Sequence, residues 1–419
     1  QPGQTKGTIG VALGYGRKVE SYKVSKEAGL EGGANAFEFL SITSDTIQNI
    51  SSDVSITSAN KKYQFAATQI HHTIMGREEM ILRETTLAQY KEDAASNNPK
   101  AFIHTNQDVR PIEEVDLWAA YPRPDIKWGM VIDMNSCIGC AACVIACTAE
   151  NNVSMVGKNE IRRTRDMAWL RIDRYYTSDM TRKKAHDEKV GARTMYLDME
   201  NPSTNPKVTF QPIMCQHCNH APCETVCPVL ATNHSSEGLN QMTYNRCIGT
   251  RYCANNCPFK VRRFNWFNYQ ENPDYANINP AQHDLGRMVL NPDVVVRSRG
   301  VMEKCSMCQQ RLQAGKLEAK KAGHPVKDGA ISTACQQACP TNAISFGDLN
   351  DKDSLVTKNR ENERNYFLLE EVGIKPTVSY LVKVRNQEEE ILLEEEPEGE
   401  EKKENKEHME EKKEEAHAS

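Results

Sequence analysis

Fifteen cysteines constrain this chain more than any other feature of its sequence, because all of them fall into four short motifs. The first two motifs contain four cysteines each, the third contains three, and the fourth contains two pairs separated by a long insertion. In chain order the motifs are Cys137-x2-Cys140-x2-Cys143-x3-Cys147, Cys215-x2-Cys218-x4-Cys223-x3-Cys227, Cys247-x5-Cys253-x3-Cys257, and Cys305-x2-Cys308 with Cys335-x3-Cys339. A proline follows the last cysteine of the second, third and fourth motifs.

This spacing predicts iron–sulfur clusters. Three cysteines two residues apart let one tight loop wrap three corners of a four-iron cube, and a fourth cysteine three residues on ligates the other cluster of a pair. A proline after that cysteine suits the start of a helix. Zinc is the main alternative, but its tetrahedral sites need only two separated cysteine pairs. A disulfide framework is typical of a much shorter secreted chain with an even number of cysteines.

The third motif lacks one cysteine. It has the form of a C-x2-C-x2-C loop in which Thr250 stands where the second cysteine belongs. A threonine hydroxyl is a poor iron ligand, so one corner is expected to lose its iron and the site to hold a three-iron cluster. The alternative is a four-iron cluster with water bound to the fourth iron.

The remaining composition is that of an ordinary soluble chain, with 419 residues, 39% of them hydrophobic and 26% charged. No run of about eighteen apolar residues occurs, so membrane association is expected to go through a partner. The chain begins at Gln1 without a signal-peptide pattern, and we interpret it as a processed or partial product. Residues 388–419 contain fifteen Glu and five Lys, a local net charge of −10. Residues 387–419 are therefore predicted to be a disordered acidic tail, with a docking arm as the alternative.

The motifs and their surroundings resemble the four-cluster iron–sulfur subunits of the molybdopterin oxidoreductase superfamily. The resemblance covers residues 125–386. It rests on the segments Cys215-Gln-His-Cys-Asn-His-Ala-Pro-Cys223, Cys247-Ile-Gly-Thr-Arg-Tyr-Cys-Ala-Asn-Asn-Cys-Pro258, Lys260-Val-Arg-Arg-Phe-Asn-Trp266, Met302-Glu-Lys-Cys-Ser-Met-Cys308 and Lys375-Pro-Thr-Val-Ser-Tyr-Leu-Val-Lys-Val-Arg-Asn386. Within the superfamily, the missing cysteine at Thr250 and the long N-terminal region resemble the iron–sulfur subunits of alternative complex III, a bacterial quinol-oxidising respiratory complex.

The resemblance implies an α+β fold. Two pseudo-symmetric bacterial-ferredoxin-like dicluster units with insertions occupy residues 121–386. A β-rich fragment similar to the C-terminal barrel domain of molybdopterin oxidoreductases, expected to lack the cofactor, occupies residues 1–120. In that fragment we predict a β-rich opening over Gly7–Arg17, strands at 54–56 and 63–67, and one amphipathic helix over 75–94.

Two of the insertions carry predicted elements of their own. Residues 169–176, within the insertion 151–205, are expected to form a strand beside the first motif. The segment 311–333, which is basic at its start, is expected to be helical.

The resemblance also implies which cysteines share a cluster, because in this family motif one pairs with four and motif two pairs with three. The ligand sets are then Cys137, Cys140, Cys143 and Cys339 for the first [4Fe-4S] cluster; Cys305, Cys308, Cys335 and Cys147 for the second; Cys215, Cys218, Cys223 and Cys257 for the third; and Cys247, Cys253 and Cys227 for a [3Fe-4S] cluster. This assignment leaves no cysteine unused. No molybdenum cofactor is expected, and without a C-x-x-C-H sequence no covalent haem.

By resemblance the clusters form a one-electron wire, and no catalytic residue is expected in this chain. Implied partners are a quinol-binding integral membrane subunit, c-type cytochrome subunits, a terminal oxidase and the remaining molybdopterin-oxidoreductase-like domains. The implied place is the periplasmic face of the bacterial inner membrane, with the chain bound peripherally. The alternatives are the electron-transfer subunit of a molybdenum reductase acting on polysulfide, tetrathionate or nitrite-type substrates, and a non-redox metal scaffold.

Two weaker patterns have structural explanations. His71 and His72 are adjacent, so on a strand they would point to opposite faces and not chelate one ion. The basic segment 260–263, with its neighbouring aromatic residues, directly follows a cysteine motif. It is therefore interpreted as packing around a cluster and facing a partner, and nucleic acid is not expected as a ligand.

Overall fold

The computed structural model describes residues 4–16, 34–52, 54–116, 119, 121–276, 278–279 and 284–386. The predicted acidic tail, 387–419, and Arg17 at the end of the glycine-rich opening lie outside the described residues.

Short strands are distributed along the whole described chain. They are β1 Ser41–Ile42, β2 Ile47–Gln48, β3 Glu84–Thr86, β4 Phe102–His104, β5 Val109–Pro111, β6 Trp128–Asp133, β7 Arg171–Tyr176, β8 Val208–Ile213, β9 Thr232–His234, β10 Asn240–Met242, β11 Arg263–Phe264, β12 Met302–Glu303, β13 Ile344–Asp348, β14 Asn365–Tyr366, β15 Val378–Leu381 and β16 Lys383–Arg385.

The helices are mostly one or two turns long. They are α1 Glu78–Ile81, α2 Leu87–Glu92, α3 Ala142–Glu150, α4 Gly157–Arg162, α5 Arg182–Asp187, α6 Ala192–Met199, α7 Pro222–Thr225, α8 Tyr252–Asn255, α9 Asp284–Arg287, α10 Gln309–Lys321, α11 Ala334–Gln337 and α12 Leu355–Arg360. Single 3₁₀ turns occur at Ala36–Phe39, Ile112–Glu114, Tyr244–Arg246, Pro273–Tyr275 and Glu370–Val372. Among the described helices, none has the length and apolar character needed to cross a bilayer.

A four-stranded sheet holds the first cysteine motif beside the fourth. Its order is β13-β6-β15-β14, and β6 runs antiparallel to β13 and parallel to β15. Strand β6 leads into the first motif, and β13 follows the fourth. Met130 and Ile132 of β6 pack into the main core together with cysteine side chains, whereas Val131 packs with Val356 of α12 on the other face. This alternation is the period of two that a strand imposes on its side chains.

Two-stranded sheets surround the second and third motifs. Strand β8 leads into the second motif and pairs with β7, the hairpin β9–β10 lies between the two motifs, and β11 pairs with β12 just before the fourth motif. The predicted strand over 169–176 is therefore present as β7, and its hydrogen-bonded partner is β8. The helix predicted over 311–333 is present in part as α10, which ends at Lys321.

Short helices begin within the motifs and pack in two pairs. Helix α3, which carries Cys143 and Cys147, contacts α11, which carries Cys335. Helix α7, which carries Cys223, contacts α8, which carries Cys253. Motif one thus packs against motif four, and motif two packs against motif three.

The N-terminal region has less regular structure than the sequence predicts. Its described strands are the hairpins β1–β2 and β4–β5, and β3, which pairs in parallel with β16. These strands form no closed sheet within the described part of residues 1–120, so the barrel-like fragment is not confirmed. Residues 7–16 and 54–67 contain no strand, and the apolar side chains of Ile9, Val11, Ile56 and Phe65 are exposed. A segment with alternating apolar residues does not form a strand when no partner strand pairs with its backbone N–H and C=O groups and its apolar face covers no core.

The prediction of a single helix over residues 75–94 is wrong. Two short helices, α1 and α2, flank strand β3, which forms hydrogen bonds with β16 at the far end of the described chain. Thr86 begins α2 with a capping box, since its hydroxyl accepts from the Gln89 backbone N–H and the Gln89 side chain accepts from the Thr86 backbone. The buried Arg83 side chain forms an ion pair with Glu370. A residue far away in the sequence therefore holds the segment between the two helices in place.

Candidate metal centres

The cysteine loops of motifs one and three share one backbone conformation. Gly139 and Gly249 have φ values of +70° and +74°, and the residues that precede the following helices, Ala141 and Arg251, have φ values of +62° and +61°. A Cβ on Gly249 would lie 2.5 Å from the carbonyl oxygen of Gly300, so both the left-handed φ and the close approach require glycine. Thr250 therefore occupies a loop with the same shape as the four-cysteine loop.

The last cysteines of motifs two and four also share a geometry. The backbone N–H of Ala231 donates to Cys227 Sγ at 3.2 Å, and the N–H of Ala343 donates to Cys339 Sγ at 3.3 Å. Burial opposes ionisation of both thiols, but the surrounding donors outweigh it. For Cys227 these are backbone N–H groups, and for Cys339 they also include the Thr341 hydroxyl, so the pKa of each thiol lies below its usual value. Hydrogen bonds to the charged form favour thiolate, the form that binds metal.

The first predicted set lies at the junction of motifs one and four. Burial, followed by the thiolates of Cys335, Cys137, Cys339 and Cys140, raises the pKa of the Cys143 thiol to about 12. Cys339, from motif four, is thus within electrostatic range of the three cysteines of motif one.

The second set combines motif four with one cysteine of motif one. Burial, followed by the thiolates of Cys305, Cys335 and Cys308, raises the pKa of the Cys147 thiol well above its usual range. The carboxamide of Asn151 donates to Cys147 Sγ at 3.6 Å and to Cys308 Sγ at 3.9 Å. One side chain at the end of α3 therefore contacts two cysteines of this set.

The third set combines motif two with Cys257 of motif three. Burial and the thiolates of Cys215, Cys257 and Cys223 raise the pKa of the Cys218 thiol well above its usual range. Burial also raises the pKa of Cys223, to about 11, although the guanidinium of Arg262 works against that rise. The Nη1 group of Arg262 donates to Cys223 Sγ at 3.3 Å.

The fourth set lines a small cavity. The lining includes Cys227, Cys247 and Cys253 together with Thr250. The backbone N–H of Met302 donates to Cys247 Sγ at 3.4 Å. Three cysteines and the threonine that replaces the fourth therefore face one space.

The four sets are neighbours in a fixed order. Of the charges that raise the pKa of Cys143 in the first set, the Cys335 thiolate of the second set has the largest effect, and the Cys215 thiolate of the third set acts on Cys305 of the second. The guanidinium of Arg262 interacts with cysteines of the third set and with Cys253 of the fourth. The sets therefore form a row in the order one, two, three, four.

The donor groups fit iron–sulfur clusters. Most of the thiols are buried and have raised pKa values, so holding them together as thiolates requires positive charge between them. Backbone N–H groups point at sulfur, which is how a protein supports a cluster. In the described part of the chain, no three His, Cys, Asp or Glu side chains converge closely enough to hold a single metal ion.

Several contacting residues were not anticipated from the sequence. Asn151 and Thr333 lie outside the cysteine pattern, and no local signal distinguishes them. The Thr333 hydroxyl lies 3.2 Å from Cys335 Sγ. Arg262 belongs to the basic segment interpreted as packing around a cluster, and its burial agrees with that interpretation. His71 is exposed and pairs with Glu200 Oε1 at 3.1 Å, away from the cysteine sets.

Two family models match this chain. Both are described as a 4Fe-4S dicluster domain, and they cover residues 136–231 and 206–272. Together they span motifs one, two and three. The matches confirm the prediction of ferredoxin-like domains that bind four-iron clusters.

Curated relatives align with most of their own length. The iron–sulfur cluster-binding subunit of menaquinone reductase from Nitratidesulfovibrio vulgaris is 35% identical over 260 residues, which are 61% of this chain and 89% of the relative. Iron–sulfur subunit 1 of an Hdr-like menaquinol oxidoreductase from Archaeoglobus fulgidus is 28% identical over 61% of this chain and 82% of the relative. The iron–sulfur subunit of an arsenate respiratory reductase from a Shewanella species is 28% identical over 61% of this chain and 96% of the relative.

Proposed function

The chain belongs to the family of iron–sulfur subunits with 4Fe-4S dicluster domains, and we propose that it carries electrons in a membrane-associated, quinol-oxidising respiratory complex. The observation that carries this proposal is the row of four adjacent cysteine sets, each of which draws on two motifs. A row of neighbouring redox centres suits one-electron transfer along the chain. The relative named as a menaquinol oxidoreductase supports quinol as the source of electrons. The relative named as a menaquinone reductase supports a partner that binds quinone, although its name makes the quinone the electron acceptor.

When bound, the clusters supply the one-electron chemistry, three as [4Fe-4S] and one as [3Fe-4S]. The cysteines hold them as thiolates, in the four sets defined above. Backbone N–H groups at Ala231, Ala343 and Met302 stabilise charge on sulfur, and the Asn151 carboxamide does so for the second set. All cysteines of the second and third sets are buried, which excludes water there, lowers the local dielectric and makes the interactions of these sets stronger.

We assign the complex to the alternative complex III type. The three-cysteine fourth set and the N-terminal region of about 120 residues support this assignment. In such a complex the fourth set lies nearest a quinol-binding integral membrane subunit, and electrons pass along the row toward c-type cytochrome subunits or a terminal oxidase. The remaining molybdopterin-oxidoreductase-like domains are further partners. The chain would be bound peripherally at the periplasmic face of the bacterial inner membrane.

A second candidate function is the electron-transfer subunit of a molybdenum reductase, in which the same row of centres would carry electrons from the quinol site to the molybdenum subunit. The similarity to the iron–sulfur subunit of arsenate respiratory reductase favours it. Quinol-reduced protein separates the two candidates. Reoxidation of the quinol-reduced clusters by a c-type cytochrome supports the first. Cluster oxidation coupled to a soluble oxyanion in the presence of a molybdenum subunit supports the second.

Low-temperature EPR with metal analysis of the anaerobically purified protein tests the cluster assignment. The oxidised protein is expected to show a three-iron signal, which gives way to several four-iron signals as the protein is reduced stepwise. Iron is expected in large excess over zinc. A silent, colourless protein that contains zinc would instead be the non-redox metal scaffold.

Cysteine-to-serine variants test the exchange of ligands between motifs. Cys339→Ser, in motif four, is expected to abolish the same EPR signal as Cys140→Ser in motif one, because both residues belong to the first set. Cys308→Ser, also in motif four, should abolish a different signal. If Cys339→Ser and Cys308→Ser abolish the same signal, each motif keeps its own cluster and the assignment is wrong.

A further inference from the structure

Two cations lie deep in the cluster region without a carboxylate partner. Arg262 is 6% exposed and Lys304 is 1% exposed, and neither takes part in an ion pair among the described residues. Arg297, which is equally buried, is neutralised by Glu303 at 2.8 Å. A buried charge without a partner costs several kcal/mol, on the order of the net stability of many domains. Some other negative charge must therefore compensate Arg262 and Lys304.

The guanidinium of Arg262 lies between the third and fourth sets. Its Nη1 group donates to Cys223 Sγ at 3.3 Å, and its Nη2 group donates to Thr232 Oγ1 at 2.8 Å and to Met242 Sδ at 3.2 Å. Thr232 and Met242 line the cavity of the fourth set. Burial opposes the charge on Arg262, but the neighbouring cysteine thiolates outweigh burial and raise its pKa. The negative charge that compensates this cation is thus the sulfur of the two sets.

The ammonium of Lys304 lies between the second and third sets. Its Nζ donates to the carbonyl oxygen of Cys305 at 2.8 Å and to that of Asn240. Cys305 belongs to the second set, and Asn240 approaches Cys223 of the third set, with 4.0 Å between Sγ and the carboxamide oxygen. Of the four sets, the third is therefore the one with a buried cation that lacks a carboxylate partner on either side.

We propose that Arg262 and Lys304 are positioning residues that make the third set the strongest electron acceptor among the three four-iron sites. A cluster gains one negative charge when it is reduced by one electron, and the neighbouring cluster that donates the electron loses one. Fixed positive charge in a low-dielectric interior stabilises the reduced form. The guanidinium cannot be deprotonated in a protein, so no proton has to accompany the electron. This inference rests on the proposed function, because it concerns the clusters assigned there.

Potentiometric EPR titration of the full chain tests the inference. In the parent protein, the signal that Cys218→Ser abolishes marks the third set and is expected to have the highest midpoint potential of the three four-iron signals. Arg262→Gln, which removes the charge but keeps an amide donor, should lower that potential by at least 59 mV, a tenfold change in the one-electron equilibrium. Lys304→Gln should also lower the midpoint potential of the third set.

Two further variants separate electrostatics from general disturbance. Arg262→Lys keeps the charge, so the midpoint potential of the third set should stay close to that of the parent protein. Lys260→Gln removes an exposed cation from the same segment, and solvent screening should limit its effect to well under the shift in Arg262→Gln. If Arg262→Gln fails to fold, the order of the midpoint potentials of the three four-iron signals in the parent protein still tests the inference.

The outcomes distinguish this inference from the proposed function. Intact clusters whose third-set potential does not move in Arg262→Gln and Lys304→Gln, or is not the highest of the four-iron sites, overturn the inference alone. A protein without any iron–sulfur signal overturns the proposed function first.

Discussion

Replacing Thr250 by cysteine is expected to convert the fourth set from a three-iron site to a four-iron site and to add one iron per chain. The oxidised protein should lose its three-iron EPR signal, and the reduced protein should gain a four-iron signal. The reason is local geometry. Gly249 and Arg251 have the φ values of their counterparts in the first motif, Gly139 and Ala141, where a cysteine stands between them. Thr250 also lines the cavity of the fourth set, so a sulfur at this position would face the vacant corner.

The matched control is Thr250→Ser. Serine keeps a hydroxyl, a poor iron ligand, so iron content and the three-iron signal should match those of the parent protein. The parent protein, Thr250→Cys and Thr250→Ser are purified anaerobically and compared by iron analysis and EPR. A parent protein that already holds four irons at this site, with no three-iron signal when oxidised, would show that the water-ligated alternative is correct. If Thr250→Cys changes neither iron content nor EPR, residue 250 does not occupy a ligand position.

Replacing Glu303 by leucine is expected to destabilise the protein by about 3–5 kcal/mol, because it leaves a buried guanidinium unpaired. The Glu303 and Arg297 side chains are each 1% exposed and lie 2.8 Å apart. Glu303 also accepts from Trp169 Nε1 and from the Asn265 carboxamide, both at 3.2 Å. Arg297 in turn donates to the backbone carbonyl of Asn151 at 2.7 Å. The pair therefore joins β12, before the fourth motif, to the end of α3 in the first.

Anaerobic urea unfolding followed by tryptophan fluorescence measures this effect. The control is Glu188→Gln, which removes a helix-surface pair with Lys184 in which both side chains are 49% exposed and 4.0 Å apart. Such a pair contributes less than about 1 kcal/mol. The double variant Arg297→Met with Glu303→Leu should be more stable than Glu303→Leu alone, because neither charge then remains buried and unpaired. If Glu303→Leu is no less stable than Glu188→Gln, the buried pair does not hold these segments together.

The cysteine loops were predictable because their chemistry is local. Within each motif the cysteines are only a few residues apart, so the backbone of one short loop decides their spacing. Gly249 and the cysteine-proline step at Cys257 are signals of the same kind. The helix α10 was also predictable from its own residues. The strand β7 was predictable too, although not the identity of its partner.

The N-terminal errors share one cause. Apolar residues alternate with polar ones at 54–56 and around 63–67, yet no described strand pairs with these segments and no core covers them. The segment 75–94 has a helical pattern, yet β3 forms within it because β16, some 300 residues later, offers hydrogen-bonding groups in parallel. The periodicity of apolar residues shows which face of a segment is apolar. It does not show whether a partner strand or a core lies close enough to pack against that face.

By itself the sequence determined the cysteine loops, their ferredoxin-like class and the missing ligand at Thr250, since each depends on residues only a few positions apart. Only the tertiary structure decided the order of the sets and the burial of Arg262 and Lys304 between them. It also decided the pairing of Arg297 with Glu303. These features join segments that are far apart in the chain. Charge effects of this kind depend on distance and solvent exposure, which follow from how the chain packs and not from the local identity of a residue.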